Sequence, residues 1–187
     1  MDTLTQLQSM LQDNEEVLWY GQPHKKCFVL ESIFNPLLPF AAIWALFDCA
    51  FICAMVFSDK QSHSPMLLFA IPFFALHLMP VWLYLGGVLL CFRNHKNTHF
   101  IVTNKAVYIS GGYFSLHFER KTFDQITYFN IRRGFFDQRL GVGDIIFDDP
   151  AEFPSRRKIK NNFVIHDIPD FQEVYNLIRE QKEKSHQ

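Results

Sequence analysis

Asp48 is the residue that most demands a chemical explanation. It is the sole charged residue in the apolar stretch Ile33 to Phe57, and a carboxylate facing lipid costs about 2.5 to 3.5 kcal/mol on insertion scales. It needs a partner or a proton. A second apolar stretch, Met66 to Phe92, has no Asp, Glu, Lys or Arg and contains His77. Asp48 lies nine positions inside Phe57 and His77 eleven inside Met66, so two antiparallel helices would bring them within about 3 Å of the same depth. They can pair. Such a pair fixes the register of two helices or joins like copies. The sharper alternative is a proton or ion relay, for which a two-helix hairpin alone has no conduction path. Cys49 and Cys53 share a helix face at i, i+4 spacing, and with Asp48 and His77 they can be drawn as a metal set. That set has no recognised ligand spacing, and no metal or other cofactor is expected.

A second concentration of chemistry lies near the other end. Arg156, Arg157, Lys158 and Lys160 fall within six residues, and a cation near an anionic membrane surface contributes about 1 kcal/mol. The competing readings are a solvated hairpin tip, neutralised by Asp148, Asp149 and Glu152, and a protein-binding loop. Arg132 and Arg133, followed by Gly134, Phe135, Phe136 and Asp137, combine cations with aromatics that can dip into an interface, although such phenylalanines more often fill a small core. Catalytic constellations are missing from the sequence. There is no Walker loop, G-x-S-x-G elbow or HExxH, and Gly141-Val142-Gly143 lacks the remaining glycine of a dinucleotide site. His24, His95 and His99 read as polar residues near a membrane boundary, so no enzymatic activity is expected.

The elements that must position these residues follow from patterning. Each apolar stretch is about 25 residues long and would span roughly 37 Å as a helix, against a hydrocarbon core of roughly 30 Å. Both are expected to cross a membrane, and the eight residues Ser58 to Pro65 permit only an antiparallel hairpin. Met1 to Leu18 carries four acidic residues and no basic one, which is not a signal-peptide pattern. Lys25 and Lys26 precede the first span and Arg93 and Lys96 follow the second, with only Lys60 between. The basic flanks predict both termini in the cytoplasm. None of the four cysteines lies in the connection, so no disulfide framework is expected. From Arg93 onward Lys+Arg exceed Asp+Glu by 15 to 12, a basic excess too small to suggest nucleic acid. The expected organisation is a cytoplasmic N-terminal segment over 1–32, a transmembrane hairpin over 33–92 and one soluble domain over 93–187.

Leu4, Leu7, Met10 and Leu11 recur at helical spacing. That short amphipathic helix suits a membrane surface or a cap on the soluble domain, and Trp19 and Tyr20 suit a headgroup level or domain packing equally. Beyond the second span the pattern changes to short β-like runs: Thr98 to Thr103, Ala106 to Ser110, Tyr113 to Arg120, Thr122 to Ile131, Asp144 to Phe147 and Asn162 to Ile168. In the third of these, Phe114, Leu116 and Phe118 alternate with Ser115 and His117, predicting one buried face. Pro169 then opens a helix whose Phe171, Val174, Tyr175 and Ile178 form a stripe.

Segment order and wording resemble a known family. Glu16-Val-Leu-Trp19 with Gly21 and Pro23, then Phe100 to Lys105, Gly111-Gly112, Leu140 to Ile145 and the closing Ile168-Pro-Asp-Phe171 with Val174-Tyr175 are similar to bacterial PH-domain membrane proteins of the YdbS-like type. The resemblance implies an α+β PH-like domain, a bent antiparallel sheet or partial barrel capped by a C-terminal helix, beside a two-helix transmembrane hairpin in the bacterial inner membrane. It brings no catalytic residues. The expected function is a non-enzymatic, membrane-anchored module that binds a protein partner or anionic lipid headgroups at the cytoplasmic face, alone or as a homo-oligomer. The alternative is an accessory subunit of a transporter or membrane enzyme, working through the hairpin.

Overall fold

The computed structural model describes residues 3–12, 14–58, 66–148 and 163–185. In chain order they form α1 (Thr3–Gln8), β1 (Val17–Gly21), α2 (Lys25–Ile33), α3 (Leu37–Ser58), α4 (Met66–His77), α5 (Met79–Asn97), β2 (His99–Thr103) and β3 (Ala106–Gly111). There follow β4 (His117–Thr122), β5 (Tyr128–Arg132), α6 (Phe135–Leu140), β6 (Gly143–Asp148), β7 (Val164–Ile168) and α7 (Phe171–Ser185). Two compact units result, one made of residues 1–30 with 91–187 and the other of residues 31–90.

The first unit holds two antiparallel sheets, ordered β1-β2-β3-β4 and β5-β6-β7. Its first hairpin is interrupted in sequence: β1 pairs with β2, Gly21 opposite Phe100, although the helices α2 to α5 separate them. Strand β2 is buried at all five positions because successive side chains leave opposite faces of a strand and both faces of this one are covered. Phe100 and Val102 join Val107, Phe123, Ile145, Phe147, Ile165, Ile168 and the α7 residues Phe171, Val174 and Ile178 in the main core. On the other face, Ile101 packs with Ala106, Tyr108 and Leu7 of α1. The amphipathic start of the chain therefore caps the domain. Trp19 is likewise drawn inward, its indole N–H donating to Asp170 Oδ2 at 2.6 Å.

A buried polar knot fastens the connection between α1 and β1. Tyr108 donates its hydroxyl to Glu15 Oε2 at 2.6 Å, and Arg120 donates to Glu15 Oε1 and to the Tyr108 oxygen, each at 2.8 Å. Burial alone would raise the Glu15 pKa, but the hydrogen bonds from Tyr108, Arg120 and Thr103 outweigh it and hold the carboxyl below its usual range. A carboxyl depressed in the folded state contributes stability above its unfolded pKa and loses it as pH falls through the folded value. The attachment of α1 should accordingly weaken in acid, below the ordinary carboxylate range. Amide exchange across residues 3–21 as a function of pH checks this, and Glu15→Gln should remove the acid dependence of that segment.

Three local features depart from the sequence expectations. The run Tyr113 to Arg120 does not start a strand at Tyr113. Gly112 has φ +129°, and a Cβ there would collide with the Ser115 carbonyl, so the backbone reverses and rejoins the ladder only at His117. With no strand opposite, Phe114 is 81% exposed rather than buried. Within Thr122 to Ile131, a 3-10 turn at Phe123–Gln125 interrupts the strand and drops Phe123 into the core. Helix α6 is not legible as a period. It is set by its ends: Asp137 Oδ2 accepts the Gly134 N–H at 2.6 Å, and Gly141, in the left-handed region at φ 72°, closes it. Helix α7 opens just after Pro169, with Phe171, Val174 and Ile178 buried and Tyr175 packed at the core margin.

In the second unit α3 is one helix, and its residues Leu37–Phe57 are long and apolar enough to cross a membrane. The second apolar stretch is not a single straight helix. It breaks at Leu78, with α4 and α5 bent by 54°. Pro80 has no N–H to offer and its ring would strike the carbonyl four residues back. The chain turns instead, with Val81 N–H donating to Leu78 O at 2.9 Å. Two carbonyls at the break take indole donors: Trp44 Nε1–H reaches His77 O at 2.8 Å and Trp82 Nε1–H reaches Ala75 O at 3.1 Å. Re-satisfying freed backbone groups in this way is what makes a broken helix tolerable in an apolar medium.

Candidate functional site

Asp48 and His77 meet. His77 Nδ1 lies 2.9 Å from Asp48 Oδ1 and 3.0 Å from Oδ2. The carboxylate, 1% exposed, is turned into the helix pair while the adjacent Leu46 and Phe47 are 70% and 64% exposed. Aromatic rings wall the imidazole. Trp44 stacks on it with centroids 5.1 Å apart and Phe73 with centroids 5.2 Å apart. The break at Leu78 places His77 at the last position of α4, where its carbonyl anchors Trp44 and its ring anchors Asp48. Cys49 and Cys53 are exposed on α3 and do not join this pair.

Arg132 and Arg133 are used within the domain. Arg132 forms an ion pair with Asp144 at 3.0 Å. Arg133 Nε–H donates to Val142 O at 2.9 Å, and its guanidinium lies over the Phe171 ring at 5.1 Å. Of the neighbouring aromatics, Phe135 is 69% exposed. Arg156, Arg157, Lys158 and Lys160 lie outside the described residues, as do Asp149 and Glu152.

The base of the domain holds a buried polar cluster that no sequence motif announces. Sγ of Cys27 and carboxylate oxygens of Asp137 and Asp167 lie within 4.8 Å of one another, and all three residues are buried. One thiol and two carboxylates can present ligand atoms to a cation, but here the thiol donates a hydrogen bond to Asp137 Oδ1 at 3.1 Å. Burial, aided by those two carboxylates, pushes the Cys27 thiol far above its usual range, which favours the protonated form that donates to Asp137. Asp167, at φ 54°, accepts the His24 N–H on its carbonyl at 2.9 Å and donates its own N–H to Asp144 Oδ1 at 3.0 Å. The cluster thus joins the start of α2, α6 and the β6–β7 pair. Cys27→Ala would strip Asp137 of a buried donor and should cost about 1 to 3 kcal/mol, with Cys27→Ser milder because it keeps an O–H. Thermal unfolding of both variants checks the order. Nothing in the sequence flags these residues, because they come together only through tertiary packing.

The family model of the bacterial PH domain matches residues 40–182. The chain belongs to the bacterial PH domain family. No curated protein and no solved structure matches it. In this bacterial PH domain protein the two antiparallel sheets and the terminal helix form the α+β core expected of a PH-like fold, and the match also takes in α4, α5 and most of α3. PH domains are generally binding modules without catalytic activity, and the described polar clusters are hydrogen-bonded knots rather than a nucleophile set beside a base.

Proposed function

We propose that this bacterial PH domain protein is a non-enzymatic, membrane-anchored module of the bacterial inner membrane, with both termini cytoplasmic, that binds an anionic lipid headgroup or a protein partner at the cytoplasmic face. The observation that carries it is the outer surface of α3 to α5. Ile43, Leu46, Phe47, Phe69, Ile71, Leu76, Leu83 and Leu89 are all exposed, a run of exposed large apolar side chains of the kind that marks a membrane or protein contact. Arg156, Arg157, Lys158 and Lys160 supply the headgroup-binding cations. The test uses the intact chain in nanodiscs of phosphatidylcholine alone or with phosphatidylglycerol, comparing wild type with the variant in which all four cations are glutamine. Slower amide exchange over residues 150–162 in the anionic discs, lost in the variant, supports headgroup binding. Equal exchange in both discs turns the site toward a protein partner.

A second reading, an accessory subunit working through its helices, is favoured by one observation: a buried Asp48–His77 pair walled by aromatics. Intramembrane ionisable groups often mark a function.

A further inference from the structure

The turn between β3 and β4 presents an apolar cluster that the described residues of the domain leave uncovered. Tyr113 is 46% exposed, Phe114 81%, and Leu116 is exposed beside them. This tip is held in place. Asn94 Oδ1 accepts the Gly112 N–H at 2.8 Å and the Asn97 amide donates to Gly112 O at 2.9 Å, while Thr98 Oγ1 donates to Asn94 O at 2.8 Å. The turn is thereby bolted to the last turns of α5, which from Cys91 belong to the same unit as the sheet.

Its level on α5 identifies its partner. Along that helix, exposed Leu83, Leu85, Leu89 and Phe92 give way to exposed Arg93 and Lys96, a change from hydrocarbon-like to headgroup-like chemistry. Asn94, two residues after Phe92, is about 3 Å further along the axis. Lys25 and Lys26, at the start of α2, are exposed, and the next turn of that helix meets α5 where Phe28 packs edge-on against His95. Tyrosine with apolar neighbours, beside lysine and arginine, is the composition of a bilayer interface.

We propose that Tyr113, Phe114 and Leu116 insert into the headgroup region of the lipid bilayer, as an attachment of the PH-like domain to the membrane separate from the helices. This rests on the membrane-anchored reading above. The tip fixes the tilt of the domain on the bilayer, which a helical tether alone leaves free.

The test uses the full chain in vesicles of phosphatidylcholine and phosphatidylglycerol with brominated acyl chains. Phe114→Trp adds a fluorophore at the tip. Tyr128→Trp adds one at an exposed site beside Thr127, whose carbonyl holds Lys182 near the far end of α7, about 17 Å from that helix's start at 1.5 Å per residue. Each added signal is read by difference from a Trp19→Phe parent chain, in which the two remaining native tryptophans, Trp44 and Trp82 in α3 and α5, report on the helices. The expected result is quenching of the native pair and of the indole introduced at position 114, with the indole introduced at position 128 unaffected. Quenched native tryptophans with the tip indole as bright as the one at position 128 would overturn the insertion and leave the anchored reading standing, the tip then facing water or a protein. Unquenched native tryptophans together with an unquenched tip indole would overturn both.

Discussion

Asp48→Leu should leave the paired helices at least as stable as wild type. Interhelical polar contacts in lipid contribute on average about 0.6 and at most about 1.7 kcal/mol, whereas removing a carboxylate from an apolar helix relieves an insertion cost of about 2.5 to 3.5 kcal/mol. The relief exceeds the loss. The variant therefore separates architecture from function. If the Asp48–His77 contact at 2.9 Å merely sets register, Asp48→Leu inserts as well or better and only the specificity of helix association suffers, while Asp48→Asn retains a hydrogen bond to the imidazole. Thermal unfolding in detergent and cross-linked oligomer profiles measure both. Any resolved fall in stability would show that the contact outweighs the relief and that the pair is a net stabiliser. Unchanged stability with loss of a cellular phenotype would move the working surface from the domain to the helices.

A chain beginning at His24 should fail to keep its domain folded. Removing residues 1–23 takes away the whole of β1 and the Leu7 contact with Ile101, Ala106 and Tyr108, a burial that contributes about 1.5 to 3 kcal/mol. It also leaves Arg120 and Tyr108 without Glu15, where hydrogen bonds to charged groups contribute about 1.5 to 3 kcal/mol each. The Trp19–Asp170 bond, which ties β1 to α7, disappears as well. These losses together approach the roughly 5 to 15 kcal/mol that a typical domain has in hand. Strand β2, buried throughout, would become a bare apolar edge and a template for aggregation. Size-exclusion chromatography and amide exchange over residues 99–111 read the outcome, and a melting temperature equal to that of the full chain would refute it.

Much of this is legible in the residues. The alternation and turn chemistry from Thr98 to Ser110 give β2 and β3 nearly to the residue, and Pro169 with its 3–4 spaced apolar stripe gives α7. The juxtaposition of Asp48 and His77 follows from counting inward along two helices, because helical rise is constant and a short connection fixes the register. Alternation misleads at Tyr113 to Leu116, where Gly112 bends the backbone off the sheet and period 2 has no opposing strand to act on. Pro80 signals a bend in the second apolar run, but the indoles of Trp44 and Trp82 that donate to the freed carbonyls are remote in sequence or further along the chain, and no local pattern names them. The Cys27 cluster is hidden for a related reason: Cys27 and Asp137 lie 110 positions apart, and no local signal links them.

The pairing of β1 with β2 also carries a consequence for the order of events during synthesis. Gly21 and Phe100 stand opposite one another but are separated by four helices, so the first strand emerges with nothing to bind. Closing so long a loop costs little more than closing a short one, because the entropy grows only as the logarithm of length. The cost is in time, since contacts distant in sequence form late. Until Phe100 leaves the ribosome, Val17 to Gly21 is an orphan strand, and its pairing acts as a checkpoint: the sheet can be completed only by a chain whose intervening helices have already been made.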